Sequence, residues 1–136
     1  MTKIITLITF FICSLMSAQN VNLTVSVSGL KNNTGAVKVG LYNSDGTFLN
    51  TTYKSIVSEI KNNELTVTFK GIPKGEYGIS TYHDENSNGK LDKNMMGIPS
   101  EAYACSNNAK GFMGPPSYKD AKFMLSKDSK IAIVFN

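Results

Sequence analysis

Oxygen-bearing side chains recur along Asp84-Glu85-Asn86-Ser87-Asn88-Gly89-Lys90-Leu91-Asp92. Hard cations such as Ca²⁺ take several oxygen ligands, and a chain turning tightly about the ion presents every second side chain to it. In an EF-hand loop the first, third and fifth positions supply side-chain oxygens. A glycine bends the chain at the sixth, a carbonyl serves at the seventh, and the ninth often acts through water. Asp84, Asn86, Asn88, Gly89, Lys90 and Asp92 fill those places in order. The pattern breaks at the twelfth place, where Met95 stands instead of a bidentate glutamate, and no helical period flanks the loop. Glu101 is the next carboxylate along the chain. It completes a candidate metal set of Asp84, Asn86, Asn88, Lys90, Asp92 and Glu101. Without the bidentate ligand, the affinity expected is that of weak extracellular calcium modules. The plainer alternative is an Asx-rich turn, whose side chains satisfy backbone donors with no metal.

Other chemistries have less support. His83 is the sole histidine and Cys105 is the one cysteine beyond the N-terminal segment, whereas zinc needs several nitrogen or sulfur ligands. A nucleophilic device would require His83 to meet Ser106 or Cys105, and there is no Gly-x-Ser-x-Gly elbow. No catalytic residue is assigned. Asp84, Glu85, Asp92 and Glu101 leave a small periplasmic hydrolase as the alternative, since a spaced carboxylate pair suffices for glycoside cleavage. Tyr103, Ser106, Asn107, Asn108, Phe112 and Tyr118 are candidates to line a ligand groove. Met95, Met96 and Met113, joining Phe112, would suit a hydrophobic ligand under a lid.

The elements that carry these residues read as strands. Val21, Leu23, Val25 and Val27 alternate with polar residues, as do Val37, Val39 and Leu41, and Leu65, Val67 and Phe69. A period of two marks half-buried strands. Further strands are expected over Ile56–Lys61, from Tyr77 to His83, at Phe123 and Leu125, and over Ile131, Ile133 and Phe135. Asn62-Asn63 occupies a tight turn, because asparagine tolerates positive φ. Gly71-Ile72-Pro73-Lys74-Gly75 breaks the ladder. The expectation is an all-β fold, a single antiparallel β-sandwich of about seven strands, with a small barrel as runner-up. Residues 84–120 form one long ordered loop after the His83 strand. Loops of that length are uncommon unless functional or disordered. Its Met, Phe, Tyr and Pro residues predict a cap packed on the sandwich.

The chain has 136 residues, enough for one domain. Residues 1–18 read as a secretory signal peptide: Lys3, an apolar run from Ile4 to Met16, then Ser17-Ala18 before Gln19. Residues 19–136 are then the single exported domain, in periplasm, at the cell surface or secreted, with no transmembrane segment after cleavage. Phe10, Phe11 and Ile12 precede Cys13 where a lipobox would want a small residue, so Cys13 belongs to the discarded peptide. Net charge is +4 and every basic residue is lysine. Without arginine forks or a lysine cluster, nucleic acid is not an expected partner.

The blocks Tyr82 to Asp92, Gly97-Ile98-Pro99-Ser100-Glu101-Ala102-Tyr103, Ser106-Asn107-Asn108-Ala109 and Gly114-Pro115-Pro116 closely resemble the bacterial family catalogued as domain of unknown function 2141. The resemblance spans nearly the whole of residues 19–136. It implies an exported single-domain protein but carries no mechanism. The stretch Phe69 to Tyr77 is similar to the strand-turn-strand of transthyretin-like and carboxypeptidase-regulatory-like domains, which implies an Ig-like or transthyretin-like sandwich with an accessory role. The function expected is a non-enzymatic binding or structural module, stabilised by calcium through 84–92. Its partner would be a protein, a glycan or a small apolar ligand.

Overall fold

The described residues form eight strands, the longer of which follow the alternation of the sequence. In β1 (Val21–Ser28) and β4 (Leu65–Ile72) the buried positions are largely every second residue, whereas β2 (Ala36–Tyr42) and β5 (Gly75–Asp84), central in their sheet, are buried at consecutive positions over 39–42 and 77–79. Shorter strands are β3 (Lys54–Ser58), β6 (Tyr103–Cys105), β7 (Phe123–Leu125) and β8 (Ser129–Val134). The structure is a computed structural model that describes residues 19–136. The expected signal segment 1–18, including Cys13, lies outside the described residues.

The strands form two sheets. One has the order β4-β1-β8; the other runs β3-β2-β5-β6, with β7 also on β5. Both β6 and β7 use the same edge of β5: β7 pairs with Gly75–Tyr77 and β6 with Ser80–Tyr82. The inner faces of the sheets meet in one core that includes Leu23, Val25, Val39, Leu41, Ile79 and Ile133. This is a β-sandwich rather than a closed barrel. One pairing departs from the all-antiparallel expectation: β8 lies parallel to β1, from Leu23 opposite Ser129 to Ser28 opposite Val134.

The turns explain how the chain changes sheets. Asn62 and Asn63 hold φ of 54° and 60°, and Lys61 bridges Glu64 around them. The turn hands the chain from β3 in one sheet to β4 in the other. The expected Ile56–Lys61 strand is therefore shorter and earlier. The 71–75 break does the same between β4 and β5, so the stretch Phe69 to Tyr77 spans both sheets. Phe48 to Tyr53 is not a strand; it follows a 3₁₀ turn at Asp45–Thr47.

Residues 84–120 are not one uninterrupted loop. The edge of β5 recruits β6 in its middle, a 3₁₀ turn follows at Ser106–Asn108, and a one-turn helix, α1 (Tyr118–Ala121), comes near its end. Ser117 caps α1 by accepting the Asp120 N–H. The cap does pack, but through other residues than its methionines. Cys105, Tyr118 and Ala121 join Tyr42 and Phe48 in a second, smaller apolar cluster. Its rings meet edge-on or tilted, at 5.2 Å for Tyr42–Phe48 and 5.5 Å for Phe48–Tyr118. Gly78 leaves room for Tyr118, whose ring would lie 3.2 Å from a Cβ there. Among the described residues no helix is long and apolar enough to cross a membrane.

Candidate functional site

β5 ends by delivering Asp84 to the start of the 84–101 loop, and β6 takes the chain back at Tyr103. Three carboxylates organise what lies between. Asp84 accepts the N–H groups of Asn88 at 3.1 Å and Gly89 at 2.8 Å, one on each oxygen. Glu101 accepts from Glu85 N at 2.8 Å and Asp92 N at 3.0 Å, so one side chain ties the two ends of the loop. Asp92 accepts the side-chain amides of Asn86 and Asn88, each at 2.6 Å. All six carboxylate oxygens thus receive an N–H.

The amide oxygens are used as Asx turns. Asn86 Oδ1 accepts from Asn88 N at 3.3 Å, and Asn88 Oδ1 from Lys90 N at 3.1 Å. The tight bend is paid for by Ser87 and Gly89, both at positive φ. From below, Tyr82 donates its hydroxyl to the Gly89 carbonyl at 3.0 Å. Its phenol is pushed up by burial first, then by the negative charges of Asp84, Glu101 and Asp92, so it stays a donor. Asp92 shifts the other way. Hydrogen bonds from Asn88 and then Asn86 hold its carboxyl below the ordinary aspartate value.

All six proposed ligand residues therefore sit in one hydrogen-bonded ring, Lys90 entering through its backbone N–H. Among the described residues no three His, Cys, Asp or Glu side chains gather in a way that could hold a metal ion. The oxygens here are divided between carboxylates and amides, a donor set for hard cations rather than for zinc.

His83 belongs to the base of this loop. It is fully buried, and its Nε2 lies 2.6 Å from the Thr34 carbonyl. A carbonyl only accepts, so Nε2 carries the proton. Among the described residues Nδ1 has no hydrogen-bond partner, and it lies 3.9 Å from Glu85 Oε1. The β1–β2 turn presses on the same place: at Gly35, with φ of 71°, a Cβ would collide with the Asp84 carbonyl.

The residues expected to line a groove do not share a surface. Ser106 is buried and accepts from Ile79 N at 2.9 Å while donating to the Ala121 carbonyl at 2.6 Å. Tyr118 is buried in the aromatic cluster. Asn107 spends its amide on the carbonyls of Asp120 and Lys122. Tyr103 and Asn108 do line a shallow cleft of about 230 Å³ with Lys110, Gly111 and Val134. Phe112 stands in solvent, as do Met95, Met96 and Met113, so these side chains enclose no cavity for an apolar ligand. Cys105 is buried, and burial pushes its thiol pKa up, the opposite of what a nucleophile needs. The sequence did not single out Tyr82 or Thr34 as supports of the loop. Only the polar tip of Tyr82 beside the Asx run hinted at the first.

The chain belongs to a family described as uncharacterized proteins conserved in bacteria (DUF2141), which matches residues 25–133. No curated protein and no solved structure matches it.

Proposed function

We propose that this member of the DUF2141 family is a non-enzymatic, exported binding or structural module whose 84–101 loop closes on a calcium ion. The carrying observation is the ring itself. Asp84, Asn86 and Asn88 each turn an oxygen onto a backbone N–H farther along the chain, and Asp92 and Glu101 converge on the same turn. Each carboxylate oxygen accepts only one N–H and keeps a lone pair for an ion. Rotating the Asn86 and Asn88 amides would bring their oxygens against Asp92, an arrangement that only a cation makes favourable. The ion's role is structural: it ties the strand end at Asp84 to the return at Tyr103 and so fixes the surface beyond. The hydrolase alternative is the weaker reading, because hydrogen bonds from Asn88 and Asn86 hold Asp92 in its charged form, which suits an ion better than a proton-donating acid.

The test is a thermal melt with millimolar CaCl₂ against chelator. At a tenfold excess over Kd, binding to the folded state adds about 1.4 kcal/mol. That raises Tm by about 5 °C for a domain of this size. Asp84→Asn combined with Asp92→Asn is expected to abolish the rise. Superimposable melts with and without calcium would overturn the calcium reading. Turnover of a glycoside or ester panel that depended on these carboxylates would favour the hydrolase instead.

A further inference from the structure

Two turns, one in the second half of the 84–101 loop and one beyond β6, share an unusual design. Met95, Met96, Phe112 and Met113 are large apolar side chains, and the least exposed of them, Met96, is 83% exposed. Ile98 is more than half exposed beside the first pair. Met124 and Val57 on the strands are also exposed, at 67% and 66%, but the four tip residues stand further out than any other large apolar side chain among the described residues.

Both turns are built to hold these residues outward. In the first, Asn94 Oδ1 accepts from Met96 N and Ile98 N at 2.9 and 3.1 Å, Asn94 N donates to the Ile98 carbonyl at 2.8 Å, and Lys93 bridges Pro99. Met95 and Met96 sit at the apex. In the second, Gly111 lies so close to the Gly114 carbonyl and Pro115 that no side chain would fit. The apex is Phe112-Met113, with Met113 held at φ of 55°. A bulky residue in that region is strained, and the surrounding structure must maintain it. The first wedge is braced by its own hydrogen bonds, and the second is shaped by the close backbone approach at Gly111.

Charge at the wedges has one sign. Lys93 lies two residues before Met95, and Lys110 two before Phe112. No Asp or Glu occurs from 93 to 100 or from 102 to 119. The nearest acids, Asp92 and Glu101, accept hydrogen bonds within the loop. Lys110 and Gly111, at the foot of the second wedge, share a cleft with Tyr103, where the segment that carries the first wedge re-enters the sheet.

We infer that the 93–99 and 110–115 turns are a pair of wedges that dock the protein on an anionic lipid surface. Separate narrow tips make a poor protein interface, which needs a contiguous, complementary area of about 1,000 Å² or more. A bilayer accepts disconnected apolar tips at its acyl boundary and holds lysines at its headgroups, with their stems buried and their charges outside. The positive feet match an anionic headgroup layer. This inference stands whether or not the 84–101 loop takes calcium.

The sequence contains no tryptophan, so Phe112→Trp and Met96→Trp each place a single reporter at a wedge. With vesicles of phosphatidylglycerol and phosphatidylcholine, both reporters are expected to shift to the blue and to be quenched by brominated acyl chains. Pure phosphatidylcholine should bind about tenfold more weakly, and added salt should weaken the anionic binding. Lys93→Gln with Lys110→Gln should remove that preference while leaving the melting temperature unchanged. The tip reporters also separate wedge docking from any attachment through the N-terminal apolar run. Emission that stays at its aqueous wavelength on vesicles that carry the protein would overturn the inference. So would a blue shift without lipid that grows with protein concentration, which would mean that a second copy covers the wedges.

Discussion

Asp92 accepts two amide hydrogen bonds of 2.6 Å, one on each carboxylate oxygen. Both favour its charged form, which is why its pKa falls, with Asn88 the larger cause and Asn86 the next. The consequence for pH has a definite sign. A carboxyl whose pKa is lower folded than unfolded stabilises the fold fully above its unfolded value, about 3.9, and loses that contribution as pH falls through its own lower value. The 84–101 loop is therefore expected to hold its form through neutral and mildly acid pH and to loosen only below about pH 4. NMR titration in chelator should give Asp92 a midpoint below that of an ordinary aspartate, and Asn88→Ala should move it back up. An ordinary midpoint in the unaltered protein would mean that the two amides do not bind Asp92 in solution. His83 is a contrast at the same scale. As the only histidine it drew attention as a chemical group, yet it is buried at the strand end with its Nε2 proton on Thr34.

At the scale of elements, the edge of β5 decides how the second half of the chain is arranged. β7 covers it from Gly75 to Tyr77 and β6 from Ser80 to Tyr82, which leaves Ile79 N between the two short strands. Ser106 fills that gap: its hydroxyl accepts from Ile79 N and donates to the Ala121 carbonyl, joining β5, the end of β6 and α1. Ser106→Ala leaves a buried N–H and a buried carbonyl without their partner. The expected cost is about 1–3 kcal/mol, measurable as a lower urea midpoint at unchanged m-value. An unchanged midpoint would show that water or a backbone shift replaces the hydroxyl. The same edge shows what could be read from sequence. Alternation at Val21 to Val27 or Leu65 to Phe69 marks the long strands because one face of each must be apolar. Tyr103-Ala104-Cys105 is too short to alternate detectably and is a strand only because β5 offers unpaired backbone groups. The spacing of Asp84, Asn86, Asn88 and Asp92 was legible in the same way, since a tight turn forces it. The burial of Ser106 and Tyr118 was not, because residue type in an irregular segment does not say which way a side chain faces.

For the molecule as a whole, the parallel placement of β8 carries the most weight. Alternation at Ile131, Ile133 and Phe135 says that one face is buried but not which strand lies alongside. The chain's last segment pairs with its first strand, across almost the full length of the described residues. Ile133 and Phe135 are buried in the main core, and Phe135 N donates to the Ser28 carbonyl at 2.9 Å. Gly29 is packed so closely on the Phe135 carbonyl that a side chain there would collide with it. Burying two such side chains contributes about 1.5–3 kcal/mol each, and removing β8 also strips the hydrogen bonds from one edge of β1. Against a total stability of about 5–15 kcal/mol for a domain, that loss is decisive. Truncation after Lys127 is expected to leave a chain without dispersed amide NMR signals, although it retains both β5 and the entire 84–101 loop. Phe135→Ala should still fold, at a cost of about 3–5 kcal/mol. A truncated chain that kept native dispersion would show that β8 is an appendage. Loss of structure in the truncation together with a large but tolerated Phe135→Ala penalty would establish that the sandwich is completed by its C-terminal strand.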